Sequence, residues 1–174
     1  YVKLETSLMS YAFPTEEKDL GNYILEALGN EEKELIETYE LEIFPMKVQS
    51  LNRTLIDKMF AVCDYYMQGK AHRNARHLYD IYKLSGYIVI DEDFLELVQE
   101  VRNHRIGMGV KIAPSAPFDV DICELVQKIC DQDFYKSDYR ETTVKLISDV
   151  LTYDEAKDHY KQLTQVIFGN KPQK

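Results

Sequence analysis

Residues 51–84 read LNRTLIDKMFAVCDYYMQGKAHRNARHLYDIYKL, and their reading decides the fold. They form two helical patterns joined by a short, basic, glycine-containing interruption. Gly69 stands eleven residues from Lys58 and eleven from Asp80. An antiparallel helical hairpin that turns near Gly69 brings those two side chains to about the same height. A lysine facing a carboxylate is costly to bury unless the pair is satisfied or has a task. Spacing alone leaves two readings open: a structural salt bridge between packed helices, or a cation and an acid set to work together.

Outward from the hairpin the patterns are mostly helical. Asp91 caps a helix with Phe94, Leu97, Val98 and Val101 on its inner face. Residues 106–117 read as irregular, with Gly107, Gly109, Pro114 and Pro117 as punctuation. One further helix uses Ile122, Leu125, Val126 and Ile129, and another uses Val144, Ile147, Val150 and Leu151. Thr152 and Glu155 have the capping-box spacing and open the last helix, lined by Ala156, Tyr160, Leu163 and Ile167 and stopped at Gly169.

Before the hairpin, Tyr1 to Ser7 alternates as a strand, with Val2, Leu4 and Thr6 on one side and Lys3 and Glu5 on the other. Pro14 to Glu17 reads as a helix start with Thr15 as N-cap. Leu20, Tyr23, Ile24, Ala27 and Leu28 form its stripe, and Gly29 its stop. Residues 31–37 read as a short acidic helix. Residues 39–48 alternate as a strand interrupted at Pro45, which implies a bend, a bulge or an edge position. The expected fold is α+β and mainly helical: a small N-terminal β element over residues 1–50, then a helical bundle over 51–174.

Composition narrows the classes. The length of 174 residues suits one domain, or one and a small appendage. No apolar run is long enough to span a bilayer and no secretory pattern is visible, so a cytoplasmic chain without a membrane partner is expected. The net charge of −9 argues against broad nonspecific nucleic-acid binding. Residues 68–83 run against that balance, with Lys70, Arg73, Arg76 and Lys83 opposed by Asp80 alone. Such a turn suits a phosphate-bearing ligand, although basic loops are also commonly just solvated. Cys63, Cys123 and Cys130 form no disulfide framework and read as reduced thiols packed in the core. The four histidines have no metal-ligand spacing, and the thirteen tyrosines fall mostly at core spacing.

Three pieces in order resemble the AbiEii-type nucleotidyltransferase family, whose members act as toxins in bacterial toxin–antitoxin and phage-defence systems. They are a strand like Val2-Lys3-Leu4-Glu5-Thr6, then Arg53-Thr54-Leu55-Ile56-Asp57-Lys58-Met59, then Arg76-His77-Leu78-Tyr79-Asp80-Ile81-Tyr82. The resemblance implies the remnant of a nucleotidyltransferase sheet followed by a helical region. It implies transfer of a nucleotide from an NTP to an RNA or protein acceptor, with Mg²⁺ in the intact protein and an antitoxin as partner. Lys58 matches the helix lysine that meets triphosphate charge, Asp80 the late catalytic aspartate, and Glu5 the strand carboxylate that serves catalysis and metal. Arg53, Arg76 and Lys3 would bind phosphate or nucleotide. Nucleotidyl transfer needs cations to offset phosphate charge and carboxylates to hold Mg²⁺ or accept a proton.

The chain departs from that family in one main respect. The family's first motif, a Gly-Ser pair followed by two carboxylates one residue apart, lies upstream of a strand like residues 1–7, and this chain contains no Gly-Ser dipeptide. Phe118-Asp119-Val120-Asp121-Ile122 has the carboxylate spacing but comes after the hairpin, where a helix cap is expected. His77 also stands where the family often has an acid. The expectation is a fragment of a nucleotidyltransferase-like protein, inactive on its own. The alternative is a non-catalytic helical module whose basic hairpin binds a protein or nucleic-acid partner.

Overall fold

The computed structural model describes residues 14–28, 32–147 and 149–169. It divides into two compact units, Tyr1–Ser50 and Leu51–Lys174. The architecture is mainly helical with a small antiparallel ribbon, as the patterning implies. The expected strand over residues 1–7, with Lys3 and Glu5, lies outside the described residues.

In the first unit, β1 (Thr15–Leu20) pairs antiparallel with β2 (Phe44–Gln49), from Thr15 opposite Gln49 to Leu20 opposite Phe44. The expected helix start at Thr15 is therefore a strand. The acids that suggest a helical first turn are strand charges: Glu16 meets Lys18 on one face at 2.9 Å, and Glu17 stands opposite Lys47. Helix α1 (Tyr23–Leu28) begins only after Gly21, where the Asn22 side chain accepts a bond from the Leu25 N–H at 2.9 Å. Helix α2 (Lys33–Thr38) fills the place of the expected short acidic helix. Its end explains why β2 begins at Phe44 and not at Tyr39. The Leu41 N–H donates to the Ile36 carbonyl, the Glu40 N–H donates to Glu37, and Glu40 is left-handed at φ 51°. That is a Schellman stop, and it uses up the residues that alternate in the sequence. Pro45 lies within β2 opposite Asp19, and among the described residues each strand of the ribbon has an open side, where proline is tolerated.

The second unit is built on the hairpin. Helix α3 (Leu51–Met67) buries Leu55, Ile56, Met59, Phe60, Val62 and Cys63. It ends where Lys70 N–H donates to the Tyr65 carbonyl and Gly69 N–H to Tyr66, with Gly69 at φ 68°. A residue other than glycine would be strained there. Helix α4 (Arg76–Ser85) returns along α3 and buries Leu78 and Ile81. Helix α5 (Glu92–Met108) starts on the Asp91 cap, which accepts from the Phe94 N–H. It runs through Gly107 and stops at Gly109 (φ 83°), so the expected irregular stretch begins later than Ile106. Arg102 holds the following loop by donating to the carbonyls of Ala116, Pro117 and Val120.

Helix α6 (Ile122–Asp131) starts on Asp121, whose carboxylate accepts from the Glu124 N–H. The Asp119–Asp121 spacing thus ends in a cap, as expected. Helix α7 (Lys136–Glu141) and a 3-10 turn (Thr143–Lys145) replace the expected helix through Val144, Ile147, Val150 and Leu151. Of those four only Leu151 is buried, while Val150 is 99% exposed. Helix α8 (Tyr153–Phe168) opens on the Thr152–Glu155 capping box and packs on α4 and α6.

Tyrosines stitch this core to α3. Tyr160 Oη donates to the Met59 carbonyl at 3.0 Å, and Tyr135 Oη to the Val62 carbonyl at 2.6 Å. Burial pushes the Cys63 thiol up to about 12 and the Cys130 thiol up to about 11, and both are free and inert.

Candidate functional site

The hairpin brings its two marked residues together. Lys58 Nζ donates to Asp80 Oδ2 at 2.7 Å across the α3–α4 interface. Their side chains are 27% and 31% exposed, so the pair sits at the edge of the core within reach of solvent. His77, one turn before Asp80, places Nδ1 3.6 Å from the same Oδ2. Burial by itself raises the Asp80 carboxyl; His77 and Lys58 outweigh it and hold the group below the usual carboxylate value.

The other expected ligand groups are placed differently. Arg53 is 2% exposed, and its Nε donates to Asp57 Oδ2 at 2.8 Å. Its guanidinium lies inside the protein. Arg76 is exposed at the start of α4, and the ion partners of Asp80 are Lys58 and His77 instead of Arg76. Lys3 and Glu5 lie outside the described residues.

Two groups of polar residues escape the sequence reading. The first is an ion network around Asp57 and Asp64. Arg105 of α5 donates from Nη1 to Asp57 Oδ1 at 3.1 Å and from Nη2 to Asp64 Oδ2. Asp64 Oδ1 accepts from both the backbone N–H and the Oγ of Ser115, at 2.8 and 2.6 Å. Asp64 is 3% exposed, and a buried carboxylate persists only with such a set of partners. Asp64 stands among apolar residues of α3, and that was the available signal: a charge on a buried face needs a partner.

The second group fixes the basic turn. Asp138 of α7 is buried and accepts from the N–H of Arg73 at 2.9 Å and of Ala75 at 3.1 Å. Arg73 is left-handed at φ 64°, a conformation that this double acceptor helps to hold. The turn therefore presents Lys70, His72, Arg73 and Arg76 from a latched backbone, all of them exposed.

Open hollows of about 430 and 450 Å³ lie elsewhere on this unit. One is lined by Asp133, Lys136, Ser137 and Arg140, the other by Val144, Ile147, Leu151 and their neighbours. Neither includes Lys58 or Asp80. Among the described residues no group of three or more His, Cys, Asp or Glu could hold a metal ion. No helix among them is long and apolar enough to cross a membrane.

The sequence model of the family described as "Nucleotidyl transferase AbiEii toxin, Type IV TA system" matches residues 1–173. No curated protein and no solved structure matches the chain. The match covers all but the last residue, and the chain belongs to the AbiEii nucleotidyl transferase toxin family.

Proposed function

We propose that the helical unit of this AbiEii-family toxin supplies half of a nucleotidyl-transfer site, with Lys58 meeting the triphosphate of an NTP and Asp80 holding and charging that lysine. The observation that carries the reading is the 2.7 Å bond between them across two helices, at a solvent-accessible edge. An ammonium paired to a carboxylate stays protonated and aimed, while its exposed side remains open to a phosphate oxygen. Negative charge gathers on the departing pyrophosphate as the nucleotide moves, and a cation already in place offsets it. Asp80 Oδ1 accepts no hydrogen bond from the described residues, so it is open to a donor on the acceptor.

The reading extends to an RNA or protein acceptor, an antitoxin partner, and work in the bacterial cytoplasm in toxin–antitoxin or phage defence. Mg²⁺ would supply further charge compensation when bound. The described residues do not form a set that fits it. The chain contains no Gly-Ser pair followed by two spaced carboxylates, so it should bind NTP without turning it over.

Titration calorimetry with ATP and GTP tests this, beside a radiolabelled transfer assay. Wild type should bind at least one of the two, and Lys58→Ala should weaken binding about tenfold or more, as loss of a charge-assisted contact does. Equal binding by wild type and Lys58→Ala would overturn the phosphate role. Turnover by this chain alone would overturn its inactivity. The latched basic turn favours a second reading, a helical module that docks an acidic or phosphate-bearing partner. Under it, Arg73→Ala and Arg76→Ala would weaken partner binding while Lys58→Ala would not.

A further inference from the structure

The imidazole of His77 has no task in the scheme above, yet its placement is unusually constrained. The ring stacks on Tyr65 of α3, with centroids 5.8 Å apart and planes 6° from parallel. It is 13% exposed. The stack sets the plane of the ring. Nδ1 is buried and has no hydrogen-bond partner, and it faces Asp80 Oδ2 from 3.6 Å. That distance is too long for a hydrogen bond, and a buried ring nitrogen without one carries a desolvation cost. A small closing movement would remove the cost.

The approach is selective between the two carboxylate oxygens. Lys58 and His77 both address Oδ2. Asp80 Oδ1 accepts no hydrogen bond from the described residues. A lysine alone does not define the rotation of a carboxylate, because an ammonium is a point charge on a flexible stem and the carboxylate torsion is broad. A planar ring held by a second ring does define it.

We infer that His77 is a positioning residue for Asp80: backed by Tyr65, it sets the carboxylate so that Oδ2 serves Lys58 and Oδ1 faces outward to a hydrogen-bond donor on an incoming substrate. The role of that donor rests on the reading of Lys58 and Asp80 as half of a transfer site; the setting of the carboxylate does not. When a triphosphate draws Lys58 away from Oδ2, His77 is the group left to hold it. Such bonds are often long in a free protein and tighten on binding. Asp80 already lies below the usual carboxylate value, with His77 among the causes that lower it.

The test separates the ring from its nitrogen. His77→Phe keeps an aromatic ring on Tyr65 and loses Nδ1; His77→Asn loses the ring and keeps a donor near the position of Nδ1. The carboxyl of Asp80 is followed by ¹³C NMR titration in the full chain. His77→Phe should raise its midpoint by about half a pH unit or more, and His77→Asn should stay close to wild type. His77→Leu makes the same comparison should His77→Phe not fold. An unchanged Asp80 midpoint in folded His77→Phe or His77→Leu would overturn the inference. A wild-type-like shift in His77→Asn, together with a raised midpoint in the apolar variants, is a result that packing alone does not produce. ATP binding is measured on the same samples. If Lys58→Ala leaves ATP binding unchanged while His77→Phe still moves Asp80, the transfer-site reading fails and the positioning role stands. If Asp80 does not move while Lys58 still governs ATP binding, the positioning role fails alone.

Discussion

Two ion clusters lie along α3, and they differ in how completely their carboxylates are satisfied. Around Asp64 and Asp57, every carboxylate oxygen has a partner: Arg53, Arg105 and Ser115 supply them from α3, α5 and the loop that follows α5. Around Asp80, one oxygen holds Lys58 at 2.7 Å, and the other accepts no hydrogen bond from the described residues. Carboxylates whose oxygens are all taken have no capacity left to accept from a ligand, and they serve to fix where helices cross. An accessible pair with an open oxygen keeps that capacity. Arg53 donates to Asp57 within the first of these clusters.

Removing Asp64 is expected to break the comparison most strongly. Asp64→Ala leaves Arg105 Nη2 and the Ser115 donors without their acceptor, a loss of about 3–5 kcal/mol of the kind seen for broken buried pairs. Urea unfolding followed by circular dichroism measures it. Next comes Asp138→Ala, which releases two backbone donors and the left-handed Arg73, at a cost of about 2 kcal/mol. Amide hydrogen exchange should speed up at Arg73 and Ala75 ahead of the rest of the unit.

The smallest effect on stability belongs to Lys58 and Asp80. A double-mutant cycle on Lys58→Met and Asp80→Asn should give a coupling of only about 0.5–1 kcal/mol, because the pair is partly solvated. The sign of its pH dependence follows from the lowered Asp80 carboxyl. Its contribution is complete above the unfolded value near pH ~3.9 and fades as pH falls through the lower folded value. Wild type and Lys58→Met should therefore converge in urea midpoint in that acidic window. A coupling as large as the Asp64 loss would erase the distinction between the two clusters.

The hairpin was legible because its signals are local. Gly69 takes the one left-handed position that closes α3, and Lys58 and Asp80 fall level across it. The caps at Asp91, Asp121 and Thr152 were legible for the same reason, since each bonds a backbone group three residues on. Residues 15–20 misled because Thr followed by acids is a helix-start signal, while the pairing that makes them a strand lies at residues 44–49. Residues 144–151 misled because apolar spacing alone does not say whether a face is covered, and here Val144 and Val150 are exposed. Lys58 and Asp80 stood out in the sequence; His77 was visible there only as an exception to a motif, not as their neighbour.

The sequence by itself determined a mainly helical chain, the antiparallel hairpin, its cation and acid, and the ends of the longer helices. Those features rest on spacings of a few residues or on symmetry about one turn. Tertiary structure alone decided that Arg53 points inward, that Asp64 meets Arg105 41 residues away, and that Asp138 latches a turn 65 residues before it. The reason is physical. A buried polar group must find its partner wherever packing brings one, and separation along the chain places little limit on where that is.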